Sequence, residues 1–318
     1  MLTEIAAGLR QTPKTLSSKF FYDEAGSQLF QQIMALPEYY PTRTEFSILE
    51  KYGPELVAQW SGAEPLLLLE LGAGDGLKTK LLLRALLAAE ADFTYSPVDI
   101  SASAVQGLAD SLRQELPALQ VAPVVAEYEA ALDQLRTQAG RKAVLFLGSN
   151  IGNFHPVARQ QFLATLAAPL AADDVLLIGF DLQKNPRQIR AAYDDAQGVT
   201  AAFNLNLLTR LNRELGADFE LANWQHYTDY DPLTGAVRSY LVSTCAQRLT
   251  LSALPGETFE FAPWEVIHTE NSYKFTRAQI EALAAAAGLQ VQHFLTDEEG
   301  WFADVVLTPM QHRSRQAE

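Results

Sequence analysis

The residues best suited to chemistry in this chain stand at the end of an apolar run, LLLLEL, where Gly72, Gly74 and Gly76 alternate with Ala73 and Asp75 before a helical stretch opens near Leu77. Glycine at such a turn lets the backbone enter the left-handed region and lets a ligand approach without meeting a Cβ. Dinucleotide sites space these glycines as G-x-G-x-x-G; here the third comes one residue early, at Gly76, which favours a grip on a nucleoside over one on a pyrophosphate. Asp99 closes the next strand-like run, 27 residues beyond Gly72, where an acid in an alternating α/β chain can accept from both ribose hydroxyls. Turn and acid together point to adenosine. Glu127 and Tyr128, at the end of the third run, stand where an adenine amino group and ring face would be met, and Lys78 faces either a ligand carboxylate or the open helix surface. A plainer reading makes Asp99 a helix cap and leaves the glycines a turn only. No GKS or GKT P-loop is present, which counts against nucleotide hydrolysis.

Such residues need a scaffold, and the chain supplies one between about 65 and 182. Five apolar runs, LLLLELG, FTYSPVDIS, VAPVVAEY, AVLFLGS and DVLLIGFDL, alternate with helical stretches near 78–89, 102–116, 130–138 and 156–168. Strands separated by helices predict a parallel sheet covered on both faces, and runs without polar alternation fit strands buried on both sides. Beyond the sheet, residues 185–216 read as helical with a break near Gly198, and YTDYDPLTGAVRSYLVS reads as a hairpin turning at 231–235. The tail adds a helix over 277–287 stopped by Gly288, then the strands LQVQHFLTD and WFADVVLT.

Composition narrows the partners. A chain of 318 residues exceeds the size at which one core stops growing, so two lobes are expected. A formal charge of -14 repels phosphate backbones and anionic membranes, so neither nucleic acid nor a membrane is expected as a partner. Cys245 is the only cysteine, which fits a reducing cytoplasm, and no signal peptide or membrane-spanning run is evident. His155, His226, His268, His293 and His312 lack metal-ligand spacing, so they read as structural or surface residues and no metal is expected.

Four further segments carry a more specific signal: KFFYDEAGSQLFQQIMALPEYYPTRTE before the sheet, GSNIGN within it, AAYDDAQGVTAAFNLNLLTRLNREL after it, and HTENSYKF late in the chain. From about Leu16 to Leu307 they closely resemble the histidine-specific methyltransferases of ergothioneine biosynthesis and the wider family of amino-acid N-methyltransferases. The most telling motifs are PEYYPTR, YDDxxGVTAxFNxNxL and TExSxKF.

The resemblance implies an α/β fold: a doubly wound, Rossmann-like class I methyltransferase sheet over 46–183 plus 274–318, and a smaller α+β substrate-binding domain over 1–45 plus 184–273. It implies S-adenosyl-L-methionine as cofactor and metal-free trimethylation of the L-histidine α-amino group to hercynine. Tyr22, Tyr39 and Asn153 would then meet the reacting amine, Tyr39, Asn153 and Tyr193 would hold the amino acid, and Glu270 and Ser272 would hold the imidazole. The cofactor side would use Gly72, Lys78, Asp99, Glu127 and Tyr128, with Gly74 added from the turn itself. A small-molecule amino acid is the expected partner, and the chain is expected to act as a monomer.

Physical chemistry gives these groups sensible tasks. Hydroxyls and an amide hold a carboxylate without adding positive charge beside a sulfonium, and aromatic walls suit a quaternary ammonium product. Taken singly, a tyrosine is more often a core or rim residue, Glu270 a solvated loop charge and Asn153 a helix cap; the motifs reverse those readings. Two positions depart from the histidine-specific pattern. Ser239 stands where a methionine is expected near the substrate ring, and Glu127 replaces an aspartate. Ser239 keeps another amino acid, such as tryptophan or a modified relative, as the second substrate reading, while Glu270 with Ser272 favours imidazole. A cofactor-binding scaffold without catalysis, and a nicotinamide dehydrogenase, are the readings from other classes; the glycine spacing disfavours the latter.

Overall fold

The computed structural model describes residues 1–62, 64–136, 138 and 140–310, so His312 lies outside it. The chain divides into two compact units: Met1–Tyr40 with Lys184–Tyr273, and Pro41–Gln183 with the described residues from Lys274 onward. The first unit opens with α1 (Leu2–Leu9), a short strand β1 (Lys14–Thr15) and α2 (Glu24–Met34), and the long helix α3 (Tyr40–Trp60) begins where the second unit takes over.

The second unit then alternates: β2 (Leu66–Leu71), α4 (Thr79–Ala88), β3 (Phe93–Asp99), α5 (Ala102–Glu115), β4 (Gln120–Val121), β5 (Val124–Val125), α6 (Tyr128–Leu135), β6 (Arg141–Phe146), α7 (Pro156–Ala167) and β7 (Val175–Asp181). The apolar runs are strands because both of their faces are covered; every residue of β7 and five of six in β2 are buried. Helix starts carry local reasons. The Ser101 hydroxyl accepts the Ala104 N–H at the head of α5, and α7 begins at Pro156, whose missing N–H costs nothing there. The third run differs from its expected form as a single strand. It splits into β4 and β5 at Ala122 and Pro123, where the gap falls opposite Pro97 of β3, which has no N–H to give to the ladder; the Ser96 hydroxyl donates to the Ala122 carbonyl instead, at 2.8 Å. Tyr128, expected at that strand's end, instead opens α6.

The chain returns to the first unit through α8 (Pro186–Ala191), α9 (Val199–Leu215), β8 (Trp224–Asp231), β9 (Ala236–Ser243), β10 (Gln247–Thr250), β11 (Thr258–Phe261) and β12 (Val266–Tyr273). A four-stranded sheet runs β1-β12-β9-β8, and β10 pairs with β11 in a separate ribbon. The hairpin expected at 231–235 is β8–β9, closed by the Gly235 N–H on the Asp231 carbonyl at 2.8 Å. The Asp195 carboxylate accepts the Val199 and Thr200 N–H groups at 3.0 and 2.7 Å, which starts α9. Phe203, Leu207, Leu208 and Leu211 of α9 are buried in one cluster with Leu241 and Ile267; full burial of each such side chain stabilises by roughly 1.5–3 kcal/mol.

The segment HTENSYKF, too polar to announce a strand, forms most of β12. The β12–β9 ladder slips by one residue between His268 and Glu270. A one-residue bulge exchanges the faces of everything beyond it. Glu270 and Ser272 therefore share the face of Ile267 and Ser239, which unbroken alternation would have denied them.

The second unit is completed by α10 (Arg277–Ala286), β13 (Leu289–Thr296) and β14 (Phe302–Pro309). Thr276 and Gln279 form a capping box on α10, and Gly288 follows its end at φ +75°. The main sheet runs β13-β14-β7-β6-β2-β3-β4, with β5 also beside β3. β14 is antiparallel to β7, while β2, β3, β6 and β7 are parallel. This is the doubly wound, Rossmann-like sheet expected from the sequence, with an antiparallel pair, β13 and β14, added at one edge. Among the described residues no helix is long and apolar enough to cross a membrane.

Candidate active site

In the sheet unit the turn after β2 is shaped by its backbone. Gly72, Gly74 and Gly76 have φ of +70°, +55° and +66°, a region costly for other residues. A Cβ at Gly72 would stand 2.8 Å from the Tyr128 hydroxyl, and one at Gly76 would stand 2.6 Å from Leu108, whereas Gly74 faces open space. The Gly72 N–H donates to the Val98 carbonyl at 2.8 Å, tying the turn to the end of β3. Asp99, one residue on, accepts the Ser101 N–H at 2.9 Å and the N–H groups of Gly74 and Ile100. Burial raises its carboxyl from the usual range, and those three donors only partly offset the rise. Ser101, not Asp99, caps α5.

The Tyr128 ring packs edge-on to Phe146 at 5.5 Å and tilted against Phe162 at 5.7 Å. Burial, and then the Asp99 charge, push its phenol up, so it remains a hydroxyl. Glu127 beside it is exposed. A backbone turn open to close approach, an acid joined to that turn and an aromatic wall thus lie within one unit, and this set fits a nucleoside.

Lys78 is not an open surface lysine. Its Nζ is bonded to the Glu45 carboxylate, which also accepts the Gly148 N–H at 2.7 and 3.0 Å. Burial lowers the Lys78 ammonium, but the charge and hydrogen bond of Glu45 outweigh it and the net shift is upward. Beneath the glycine turn the Thr79 hydroxyl donates to Glu70 at 2.6 Å and the Tyr95 hydroxyl donates to its other oxygen. Burial raises Glu70 to about 7 despite these donors. Asn153 ends a short 3-10 turn, Asn150–Asn153, beyond β6; it is half-buried, and the cap position of α7 belongs to His155 instead.

In the other unit the candidate substrate residues form two linked groups. A row of rings runs Tyr22–Phe30 at 5.7 Å, Phe30–Tyr39 at 6.2 Å and Tyr39–Tyr193 at 6.2 Å between centroids. The Tyr193 hydroxyl then meets the Ser272 hydroxyl at 2.9 Å. On the neighbouring strand Ser239 stands opposite Glu270 in the ladder. Ser239 is buried, its carbonyl accepting the Thr269 hydroxyl at 3.0 Å, while Glu270 is half-buried. Tyr22, Tyr39, Tyr193, Ser239, Glu270 and Ser272 therefore belong to one unit, and Asn153 belongs to the other with the cofactor-side residues.

Residues not singled out from the sequence support both groups. The Tyr193 carbonyl accepts the Thr228 hydroxyl at 3.0 Å and lies 3.1 Å from His226 Nε2. Burial lowers the His226 pKa, and the Tyr193 carbonyl and the Asp194 and Asp195 charges only partly restore it. An alternating His-x-Thr in β8 was the available signal for this pair. Glu45 was also visible, as the last residue of PTRTE, but nothing near it in the sequence reveals its partners.

Comparison with known proteins accords with this geometry. The family model described as histidine-specific, S-adenosylmethionine-dependent methyltransferase matches residues 1–309. The chain is 42% identical to a histidine N-alpha-methyltransferase of Mycolicibacterium smegmatis, covering 94% of this chain and 92% of that one. Its counterpart in Mycobacterium tuberculosis is 39% identical over the same shares. Ergothioneine biosynthesis protein 1 of Schizosaccharomyces pombe is 32% identical over 81% of this chain and 34% of its own length. The chain belongs to the family of histidine-specific, S-adenosylmethionine-dependent methyltransferases.

Proposed function

We propose that this enzyme methylates the α-amino group of free L-histidine, up to the trimethylated product hercynine, as in ergothioneine biosynthesis. The observation that carries the reading is the bulge in β12, which turns the Glu270–Ser272 pair to the face of Ser239, with the Tyr193 hydroxyl on Ser272. An imidazole carries one N–H donor and one acceptor nitrogen. A carboxylate and a hydroxyl two residues apart on one face match that pair.

S-adenosylmethionine supplies, when bound, a methyl group on a positively charged sulfur. The protein's part is to hold the amine with its lone pair presented, exclude water and keep charge in balance. We assign the cofactor to the sheet unit, on Gly72, Gly74, Lys78, Asp99, Glu127 and Tyr128, and the amino acid chiefly to the other unit. Tyr39, Asn153 and Tyr193 hold its carboxylate by neutral hydroxyl and amide contacts. Tyr22, Tyr39 and Asn153 orient the amine, with aromatic walls that accept an ammonium as methyl groups accumulate. None of these substrate groups is cationic, so none repels the sulfonium or the quaternary product. The enzyme acts as a cytoplasmic monomer in this reading.

Tryptophan fits less well. A buried Ser239 leaves more room than methionine would, but an indole offers only one N–H and no acceptor for the Ser272 hydroxyl. Purified protein incubated with S-adenosylmethionine and each free amino acid separately, followed by mass analysis, tests the assignment. Methylated histidine is the expected product; methylation of another amino acid and not of histidine would overturn it.

A further inference from the structure

We propose that Glu45 is a positioning residue of the cofactor site, holding the Lys78 ammonium and the Gly148 N–H on one carboxylate so that both stay set for the cofactor's amino-acid end. The proposal deepens the reading above and rests on its placement of Lys78 toward the cofactor. Glu45 lies in the first turns of α3, Lys78 is the N-cap of α4, and Gly148 lies in the turn after β6 that leads to Asn153. One side chain thus ties three elements that are far apart in sequence.

The site is built for that carboxylate. Glu45 is fully buried, and its Oε1 occupies space that a side chain at Gly179 would need: a Cβ there would lie 2.2 Å from it. Strand β7 is otherwise filled by large side chains at this level, so the glycine makes room for the acid. Asp304, the ladder partner of Gly179, is fully buried as well. Neither Asp304 carboxyl oxygen meets an N–H or O–H donor among the described residues, and the group its side chain shares a hydrogen bond with is the Glu45 carboxyl. A proton held by Asp304 toward Glu45 satisfies both groups and leaves Lys78, Glu45 and Asp304 neutral as a set. Burial, followed by the Glu45 charge, holds the Asp304 carboxyl well above the usual range, as that arrangement requires.

Fold stability alone gives little reason for this cluster. Burying ions costs several kcal/mol each, and apolar residues of similar volume are often as stable or more so. What apolar residues cannot do is fix an ammonium and a backbone N–H at a set spacing. Without Glu45, Lys78 would be free to change rotamer, and the Gly148 turn would lose its anchor.

Calorimetric binding of S-adenosylhomocysteine to wild type, Glu45→Gln, Lys78→Met and the double variant tests this. Glu45→Gln should weaken binding by about tenfold, the worth of one charge-assisted hydrogen bond, and raise the KM for S-adenosylmethionine while leaving the KM for histidine within about twofold. In the Lys78→Met background the same change should cost less than about twofold, because an effect exerted through Lys78 vanishes with it. Equal losses in both backgrounds, or no loss in either, would overturn the proposal. If Glu45→Gln does not fold, Glu45→Asp, which keeps the charge one methylene short of its partners, takes its place in the same cycle with the same expectations. Failure of the wild-type protein to bind the ligand would instead sink the cofactor placement, and the proposal with it.

Discussion

In the sheet unit the candidate cofactor groups rest on three left-handed glycines and a buried ionic cluster; in the other unit the candidate substrate groups are neutral hydroxyls and rings beside a bulged strand. The first region fixes its shape through the backbone and through charges that have no room to move. The second presents side chains that can be exchanged one at a time. Change in the first should therefore remove binding, and change in the second should shift preference. That contrast suits an enzyme whose cofactor is constant and whose substrate is chosen by a few contacts.

The sharpest way to break the comparison is Gly72→Ala. It meets both a φ of +70° and a contact of 2.8 Å with the Tyr128 hydroxyl. Cofactor affinity, measured by calorimetry, should fall at least about 100-fold, the equivalent of roughly 3 kcal/mol of strain and displacement. A loss under about fivefold would show that the turn is more yielding than its geometry suggests.

Glu70 offers a test of the buried charges by pH. Its folded-state pKa, near 7, lies above the usual 4.5 because of burial. The folded protein therefore keeps a proton that the unfolded chain releases first. Stability from this group is fully present below about pH 4.5 and is lost as pH rises through about 7, a change on the order of 3 kcal/mol. Denaturant unfolding across that window should show the wild type weakening with rising pH relative to Glu70→Gln, which keeps a neutral side chain throughout. Parallel profiles for the two proteins would contradict the assignment.

On the substrate side the expected effects are smaller. Tyr193→Phe removes one hydroxyl contact, at 2.9 Å from Ser272, worth about 1 kcal/mol. The KM for histidine should rise about fivefold while that for S-adenosylmethionine stays unchanged. An equal rise in both would remove Tyr193 from the substrate group.

The same contrast governs what could be read from the sequence. LLLLEL and DVLLIGFD announce buried parallel strands because such strands bury both faces, and the early third glycine at Gly76 separates a nucleoside turn from a dinucleotide one. Strand β12 was not legible, because Glu, Asn and Ser weaken its β-propensity, and its register is a property of the ladder with β9. Pro97 and Pro123 were visible, yet the split of the third strand depends on which of the two faces the ladder between β3 and its neighbour. Glu45 was the least legible: it meets Lys78, Gly148, Gly179 and Asp304 only after α3, α4 and the strands β6, β7 and β14 have come together. The tyrosines and the Glu270–Ser272 pair were legible through family motifs; as isolated residue types they carry little signal.

Methylation of histidine at its α-nitrogen is tested most directly by competition. Equimolar histidine and tryptophan are supplied to the purified enzyme with excess S-adenosylmethionine, and each product is fragmented to locate its methyl groups. Histidine should take nearly all the label, progressing to three methyl groups on the α-nitrogen, and Glu270→Ala should erode that preference. Methyl groups on the imidazole, or tryptophan consumed first, would contradict the account.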